Sequence, residues 1–582
     1  MESKTPKFDS LLDEIFEELS PHTRPCKWSG EHKHCEGQFE ITSEDIEFLK
    51  MLRVPAPNFC PTCRRMRRFL YMGMFQFFKH KCDVHGHKES MISTLPPERP
   101  FLVYDYKYFI SEEFNAFTFG QEYDSNISPM ETLFQLRKIF PMPSLTNRDP
   151  SSVNSDYSNG GRNLKNGYYA FGCYGSEDIW YSHMAGSSKE VMDSSFVYKS
   201  DYIYNGFHID NSYKSSFIYF SKDCADSIFL FDYRNCIDCF GCVNMRNAKY
   251  CIWNQQVSKE DYENFMRINS PFSRDFLNES KEKFWQSVKS NPMNASRNTA
   301  VKNVTGVLLS NTKNIYDITQ SENSEHIRHA DGGLSNKDSM DFLYSGGHSE
   351  LLYSTTNIGS QSSNVKFSIS SKFCTNCEFI FNSKNLDNCF MCFGLQNKSY
   401  CILNKQYLPE KYFKILDEIK SDMMKRGEYG DGVEMQFSAM PYNFSLAQIS
   451  FPLTDEEIKK LGGYIAKEPE TNAGNAQFIS TKDLPQVINK VSDDIINFGI
   501  KCEVTGRPFR IVESELQFLR KMKLPLPSTH PSLRLQQYLY MAPLGKRHQA
   551  LCAKCGEAIN SLFNPKDGYI LYCEKCYQQE VY

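Results

Sequence analysis

The chain has 582 residues and a mass of 67.5 kDa, enough for about four compact units. Its 70 acidic and 66 basic residues nearly cancel, to a net charge of -4, which argues against a protein that coats nucleic acid with its whole surface. The mean hydropathy is -0.51, and no apolar run approaches the ~18 residues of a membrane span. The 21 cysteines are clustered, and the charged first residues do not resemble a signal peptide, so we expect metal-binding thiols and a cytoplasmic location.

The first 150 residues are predicted to hold an acidic amphipathic helix, residues 1–25, and a zinc-ribbon module, residues 26–150. Cys60-Pro61-Thr62-Cys63 has the form of a zinc knuckle. Its partner knuckle would be Cys35 with Cys26, His32 or His34. We favour Cys26, because a thiolate binds zinc more tightly than an exposed imidazole does.

A basic run, Arg64-Arg65-Met66-Arg67-Arg68, follows this knuckle directly. Arginine makes bidentate contacts with phosphate, so Arg64, Arg65, Arg67 and Arg68 could contact nucleic acid or another polyanion. The favoured interpretation is structural: the arginines pair with the acidic first helix, and the aromatic side chains that follow form a core.

The middle of the chain is a tandem duplication, residues 151–290 and 300–435, because ten residues around Cys239 recur around Cys389 at one offset of 150 residues. Within each block, aromatic or branched clusters recur about every 10 to 15 residues, with alternating polarity inside them and turn-forming residues between them. This spacing predicts a β-solenoid that buries a column of Phe, Tyr, Ile and Cys, closed by amphipathic helices that begin near Ser258 and Pro409.

The repeat blocks raise three questions of function: the role of their cysteines, a catalytic site and a binding surface. Their cysteines are expected to be small core side chains, with metal binding and redox chemistry left open. A catalytic β-solenoid would instead use polar side chains on one strand face; the candidates are His183, Asp193, His208, Asp210, His326, His329, Asp331 and His348. A binding surface is expected on tyrosines assumed to be exposed, namely Tyr198, Tyr202, Tyr204, Tyr213 and Tyr219.

A linker is predicted over residues 436–495, with Thr471 to Asn475 at its polar centre, ahead of a second zinc-ribbon module, residues 496–582. That module carries Cys552-x-x-Cys555 and Cys573-x-x-Cys576, whose four thiolates suit one structural zinc ion.

The two end modules match each other at an offset of 470, for example Phe39 with Phe509 and Phe48 with Phe518. Each has lost a different site. Cys35, Cys60 and Cys63 correspond to Thr505, His530 and Leu533, whereas Cys573 and Cys576 correspond to Asp105 and Tyr108. Metal at Cys82, His85 and His87 is therefore not expected, and each end module retains one zinc site.

Cys35, the Pro55-Ala56-Pro57 turn and Cys60-Pro61-Thr62-Cys63-Arg64 resemble the treble-clef-type probable zinc-ribbon domain. Nearly the whole chain resembles a bacterial family of zinc-ribbon proteins with Cys- and aromatic-rich central repeats, whose members often carry a CaiB/BaiF label. The resemblance implies no known activity, and no spacing supports acyl-CoA chemistry.

We therefore expect a mostly β protein: a tandem duplicated β-solenoid core flanked by N- and C-terminal zinc-ribbon modules with a few helices. Two structural Zn2+ sites are expected, Cys26/Cys35/Cys60/Cys63 and Cys552/Cys555/Cys573/Cys576. The expected function is a non-enzymatic scaffold for a macromolecular partner, protein or nucleic acid, with no membrane and no small-molecule cofactor. The alternatives are a nucleic-acid-binding protein that uses the Arg64–Arg68 run and a carbohydrate-active enzyme.

Overall fold

The computed structural model describes residues 3–73, 75–147, 151–469, 477–541 and 544–581. It is mostly β, with large parallel sheets in the middle of the chain and most helices toward the ends. Within these residues, no helix is both long and apolar enough to cross a membrane.

The N-terminal part contains α1 (Pro6–Glu18), β1 (His22–Pro25), β2 (Gln38–Ile41), α2 (Ser43–Leu52), α3 (Pro61–Phe69), β3 (Phe78–Lys81), β4 (Ser90–Ser93), β5 (Val103–Tyr104), α4 (Tyr106–Phe109), α5 (Pro129–Ile139) and β6 (Met142–Pro143). The first block contains β7 (Tyr157–Asn159), β8 (Lys165–Phe171), β9 (Glu177–Gly186), β10 (Lys189–Met192), β11 (Ser195–Tyr198), β12 (Asp201–Tyr204), β13 (Phe207–Asp210), β14 (Tyr213–Tyr219), β15 (Lys222–Ala225), β16 (Ile228–Phe231), β17 (Arg234–Val243), β18 (Lys249–Ile252), β19 (Gln255–Gln256), α6 (Lys259–Asn269) and α7 (Arg274–Ser290).

The second block is preceded by β20 (Pro292–Asn294) and contains β21 (Lys302–Ser310), β22 (Lys313–Glu322), β23 (Glu325–Arg328), β24 (Asp331–Leu334), β25 (Asn336–Ser345), β26 (Ser349–Thr356), β27 (Ser363–Lys366), β28 (Thr375–Phe381), β29 (Lys384–Phe393), β30 (Gln396–Ile402), β31 (Lys405–Gln406) and α8 (Pro409–Lys425). The C-terminal part contains α9 (Leu446–Ser450), α10 (Asp455–Lys460), β32 (Phe478–Ser480), β33 (Gly499–Lys501), β34 (Pro508–Phe509), α11 (Glu513–Met522), α12 (Pro531–Met541), β35 (His548–Leu551), β36 (Ala558–Ser561), β37 (Ile570–Tyr572) and α13 (Glu574–Val581). Short 3-10 helices lie at Ala116–Phe119, Met435–Phe437, Tyr442–Phe444, Thr481–Asp483, Ile488–Lys490, Asp493–Asn497 and Pro565–Asp567.

The strands of each block pair in parallel with a register of 12 residues. In the first block Val191 pairs with Ile203, and in the second Cys377 pairs with Cys389. The first sheet has 13 strands and the second 11, and each ends in a short antiparallel strand, β19 or β31. A few turns of the second block are one residue longer, as where Leu352 pairs with Val365.

The backbone also has a shorter period. From Asp178 to Asp238, every third residue has a positive φ, so each 12-residue turn contains four left-handed corners. This conformation is costly for residues other than glycine. The corner N–H groups are nevertheless bonded to the preceding turn: Asp193 donates to the carbonyl of Trp180 at 3.1 Å and Lys199 to that of Gly186 at 3.0 Å. These bonds stabilise the corners.

The residue after each corner faces a narrow interior. Ile179, Val191 and Ile203 are fully buried there. Other interior positions hold serines that form a ladder: the Ser188 hydroxyl donates to the carbonyl of Gly186 at 2.9 Å and accepts the N–H of Ser200 at 3.1 Å. Small and branched side chains therefore fill the space inside each turn.

The block cysteines occupy the same ladder. Cys236 donates to the carbonyl of Arg234 at 3.2 Å and accepts the N–H of Ala248 at 3.4 Å. The expected interior column of Phe and Tyr is largely wrong, although Tyr233 and Phe342 do lie inside. Most rings of the blocks instead pack on the outside, beneath helices and the end modules, because a 12-residue turn leaves little room for them.

Helices follow the last strands of both blocks. The Ser258 hydroxyl accepts the N–H of Asp261 at 3.0 Å and caps α6, and Pro409 is the first residue of α8. The segment predicted as a linker is packed in its described parts: Tyr442, Leu446 and Ala447 are fully buried. Its predicted polar centre, residues 471–475, lies outside the described residues.

The end modules dock crosswise on the blocks. In the N-terminal module, α2 and α3 pack on β25 and β26 of the second block. In the C-terminal module, α12 packs on β9 of the first block. Each end module therefore covers the block that is farther from it in sequence.

Candidate metal centres

The four predicted N-terminal cysteines lie together. Cys26 follows β1 and Cys35 precedes β2, so an antiparallel hairpin brings them close. Cys60 is the N-cap of α3, and Cys63 lies in its first turn. Their four sulfur atoms all lie within 4.8 Å of one another.

Backbone N–H groups point at these sulfur atoms. Cys26 Sγ accepts the N–H of Cys60 at 3.3 Å, and Cys35 Sγ accepts the N–H of Gly37 at 3.4 Å. Hydrogen bonds with the Cys60 and Cys63 thiols hold the pKa of Cys26 well below its usual range. The contact with Cys26 in turn raises the pKa of Cys60 to about 12. Without a cation only one thiolate forms readily, whereas a divalent cation would favour all four.

The two histidines considered as alternative ligands lie outside this set of four sulfur atoms. His32 Nε2 lies 3.3 Å from Cys63 Sγ, next to the cluster. His34 Nε2 lies 3.0 Å from the carbonyl oxygen of Pro452. The structure thus groups Cys26, rather than either histidine, with the other three cysteines.

The C-terminal cluster is built in the same way. The turn between β35 and β36 carries Cys552 and Cys555, and Cys573 and Cys576 lie at the start of α13. These four sulfur atoms also lie within 4.8 Å of one another. Burial opposes ionisation, but N–H groups including those of Cys573 and Cys555 lower the pKa of Cys552 to about 6. Unlike the N-terminal cluster, this one has an exposed member, Cys555.

Both sets fit a structural zinc ion. Four cysteine thiolates in close array are a typical zinc donor set, and N–H···S bonds are the outer contacts that orient such ligands. Within the described residues, no other group of three or more His, Cys, Asp or Glu side chains is close enough to hold a metal ion. The two clusters could therefore hold two metal ions, consistent with Zn2+.

The same type of N–H···S hydrogen bond occurs at four places and identifies four related units. It joins Cys60 N to Cys26 Sγ, and it joins Cys573 N to Cys552 Sγ at 3.3 Å. It recurs where no cluster remains: Asp105 N donates to Cys82 Sγ at 3.1 Å, and His530 N to Cys502 Sγ at 3.3 Å. Each end module therefore contains two hairpin-and-helix units, of which one keeps four cysteines. Cys502 was not predicted as part of such a unit, although Cys502-x-x-Thr505-Gly506 repeats the pattern of Cys552-x-x-Cys555-Gly556.

The basic run is not exposed, and its partners are not on the first helix. Arg64, Arg65, Arg67 and Arg68 are at most 8% exposed. Arg64 and Arg68 pair with Asp341, and Arg65 pairs with Asp331 at 2.6 Å. Arg67 donates to the carbonyl of Val433 at 2.6 Å. These guanidinium groups fix the N-terminal module to the second block, and the run itself therefore does not form an exposed basic surface.

Arg53, not the basic run, pairs with the acidic first helix. It contacts Asp9 and Asp13, and the pairs are partly exposed. The internal repeats of the sequence could have indicated the partners of these arginines. Asp341 and Asp193 are equivalent positions of the two blocks, 148 residues apart. They bind Arg64 and Arg534, which are equivalent positions of the two end modules.

Several of the candidate catalytic side chains of the blocks are already engaged in other contacts. His208 lies between the rings of Phe196 and Phe220, and burial lowers its pKa to about 3. His329 Nδ1 lies 2.9 Å from Asp317. Asp193 and Asp331 are held by arginines of the end modules.

The expected tyrosine surface is only partly exposed. Tyr204 and Tyr219 are buried, so their assignment to a surface was wrong. Tyr198 and Tyr202 are half-buried, and Tyr213 is exposed. Some tyrosine rings of these strands thus pack inside the protein, whereas others contact solvent.

Comparison with protein-family models finds no match for the chain, and a search of curated proteins finds none either.

Proposed function

We propose that the chain is a zinc-stabilised scaffold in which two β-solenoids are held together by two zinc-ribbon modules. The repeat geometry supports the solenoid assignment: parallel register of 12 residues, four corners per turn and a serine and cysteine ladder inside. Short repeats that stack only on their neighbours are the defining property of solenoids.

The zinc ions in this proposal are structural. Four protein thiolates leave no coordination position for a water molecule or a substrate, so such a site contributes folding energy and not catalysis. When bound, each ion would fix the hairpin of its unit to the helix that follows.

The main support for the proposal is that the N-terminal cluster is directly connected to the contact between the N-terminal module and the second block. Cys63 is a cluster residue, and the next residue, Arg64, binds Asp341 inside the second block. A metal ion that orders the start of α3 therefore also orders the arginines that hold the block. In this proposal, metal binding at the cluster and docking at the interface are therefore coupled.

A scaffold needs a partner, and we propose a macromolecule in the cytoplasm. Some of the corner residues form columns of exposed polar side chains, such as Asn211 with Asp223 in the first block and Asn364 with Asn376 in the second. These columns form long, regular surfaces of the kind that solenoids use for recognition. The burial of the basic run gives no support to the nucleic-acid alternative, and no described cluster favours the carbohydrate-active one.

An affinity pull-down of the intact protein, with metal analysis of the same sample, tests the proposal. We expect two zinc ions per chain and a protein partner that survives high-salt washing. No zinc, or four or more zinc ions, would contradict the structural assignment. Turnover of a polysaccharide, or salt-sensitive capture of RNA alone, would contradict the scaffold.

A further inference from the structure

The two cysteine clusters differ in how far solvent reaches their sulfur atoms. All 21 cysteines lie within the described residues, and Cys555 of the C-terminal cluster is the only exposed one. Cys573 of the same cluster is half-buried. In the N-terminal cluster only Cys35 is half-buried, and the other three cysteines are buried. A reagent in solution therefore reaches two thiols of the C-terminal cluster but at most one of the N-terminal cluster.

The two accessible sulfur atoms also lie close together. Cys555 Sγ is 3.8 Å from Cys573 Sγ. A disulfide bond holds its sulfur atoms about 2 Å apart, so an approach of about 2 Å would join this pair. The remaining cysteines of the cluster, Cys552 and Cys576, are buried. The cluster thus has one pair of thiols that is both accessible and close enough to react.

Cys573 lies where the C-terminal module contacts the rest of the chain. The strand before it, β37, pairs with β20, with Tyr572 opposite Asn294. In the helix after it, α13, the Tyr577 hydroxyl donates to Asp232 of the first block at 2.6 Å. Because both contacts are made within four residues of Cys573, a change at this cysteine reaches the interface with the first block.

We propose that the C-terminal cluster is a peroxide-sensitive redox switch: Cys555 and Cys573 form a disulfide, zinc is lost, and α13 loosens from the first block. This inference rests on the zinc sites proposed above, since it takes the four thiolates of the reduced chain to hold an ion. The N-terminal cluster stays intact under the same conditions, because it offers no pair of accessible thiols.

The oxidant is hydrogen peroxide, and the reaction has two steps. The Cys555 thiolate attacks one peroxide oxygen; an S–O bond forms, the O–O bond breaks and hydroxide leaves. The Cys573 thiolate then attacks the sulfenic sulfur of Cys555; an S–S bond forms, the S–O bond breaks and a second hydroxide leaves. The sulfur pair loses two electrons, which reduce the peroxide, and two protons from solvent convert both hydroxides to water.

Only Cys552 and Cys576 then remain as thiolate ligands. A structural zinc site has four protein ligands, so two thiolates do not retain the ion. The start of α13 loses the constraint that metal binding imposed on it, and the hydrogen bond of Tyr577 to Asp232 weakens. A thiol reductant restores both thiols by disulfide exchange and allows zinc to bind again.

The test treats the full-length, zinc-loaded chain with excess hydrogen peroxide. Metal analysis before treatment should find two zinc ions per chain; fewer would contradict the zinc sites themselves, and with them this switch. After treatment we expect release of one ion, a Cys555–Cys573 disulfide in peptide mass spectra, and faster hydrogen exchange in α13. Dithiothreitol with added zinc should reverse all three changes.

Two single substitutions assign the released ion to its cluster. Cys26→Ser keeps only the C-terminal cluster complete, so peroxide should remove its one remaining ion. Cys573→Ser keeps only the N-terminal cluster complete, and its remaining ion should stay bound. The two variants differ in which cluster they retain, so each is the control for the other.

Given two zinc ions at the start, three results would overturn the proposal: retention of both ions, equally fast zinc release from Cys573→Ser and Cys26→Ser, or zinc release without a Cys555–Cys573 disulfide. If Cys573→Ser fails to fold, the unmodified chain decides. In that chain, faster exchange in α3 instead of α13 would show that the N-terminal cluster opens first and would overturn the proposal as well.

Discussion

Arg534 binds Asp193 in the first block at 2.5 Å, and this buried pair repeats the contact of Arg64 with Asp341 in the second block. Each arginine belongs to the end module that is farther in sequence from its aspartate. The duplicated blocks and the related end modules therefore form two similar pairs, whose partners are exchanged along the chain. The N-terminal cysteine cluster lies beside the contact of Arg64, because Cys63 directly precedes Arg64 in the chain.

Loss of one N-terminal cysteine should remove one metal ion. In Cys26→Ser, we expect one zinc ion per chain instead of two, because serine is a poor zinc ligand, and a loss of several kcal/mol of stability. Metal analysis and thermal unfolding check both effects. Cys502→Ser is the matched control, since Cys502 has the same N–H···S contact without a cluster. If that control also lost zinc, the assignment of retained and lost sites would be wrong.

Removal of a docking arginine should be costly. In Arg64→Met, Asp341 loses its closest cation inside the interface, and one-sided removal of a buried charge pair costs about 3–5 kcal/mol. Denaturant unfolding measures the change. Arg53→Met removes partly exposed pairs with Asp9 and Asp13 and should cost about 1 kcal/mol or less. Equal effects of the two substitutions would argue against the docking contact.

The docking of the C-terminal module should depend on pH. Two buried carboxylates, Asp193 and Glu515, share one guanidinium group, that of Arg534. Burial, only partly offset by Arg534, raises the pKa of Glu515 from 4.5 to about 7. The folded chain thus keeps this proton over a range in which the unfolded chain releases it. Stability from Glu515 is full below pH ~4.5 and is lost as the pH rises toward ~7.

The comparison with Glu515→Gln isolates this effect. The stability of the unmodified chain minus that of the variant should fall between about pH 5 and about pH 7 and then level off. The equivalent residue, Asp45, behaves oppositely: despite burial, His329 and Arg328 hold its pKa well below the usual range. Asp45→Asn should therefore not reproduce the profile. A flat difference for Glu515→Gln would show that its environment is misassigned.

The block cysteines should be replaceable by serine. Cys236 makes the two hydrogen bonds that serine makes at Ser188 and Ser200, so Cys236→Ser should change stability by about 1 kcal/mol or less and keep both zinc ions. Cys236→Val leaves the N–H of Ala248 without its acceptor and should cost about 1–3 kcal/mol. Loss of zinc in Cys236→Ser would show that the block cysteines bind metal.

Much of the secondary structure and both cysteine clusters could be predicted from the sequence, because the Cys-x-x-Cys spacing and the internal offsets are local patterns. The three-residue period was missed, since its left-handed corners include Phe196 and Tyr202, which do not normally favour that conformation. The burial of the basic run was also missed as a docking contact. Its partners lie more than 250 residues away, and charge alone does not show which surface a helix covers.

Hydrogen exchange of the Cys60→Ser variant tests most directly the claim that the N-terminal cluster orders the distant second block. We expect peptides covering Glu325–Ser345, beneath α2 and α3, to lose protection, while those covering Glu177–Tyr198 in the first block keep it. Loss of protection in the first block alone, or unchanged protection in both blocks after one zinc ion has been lost, would contradict it.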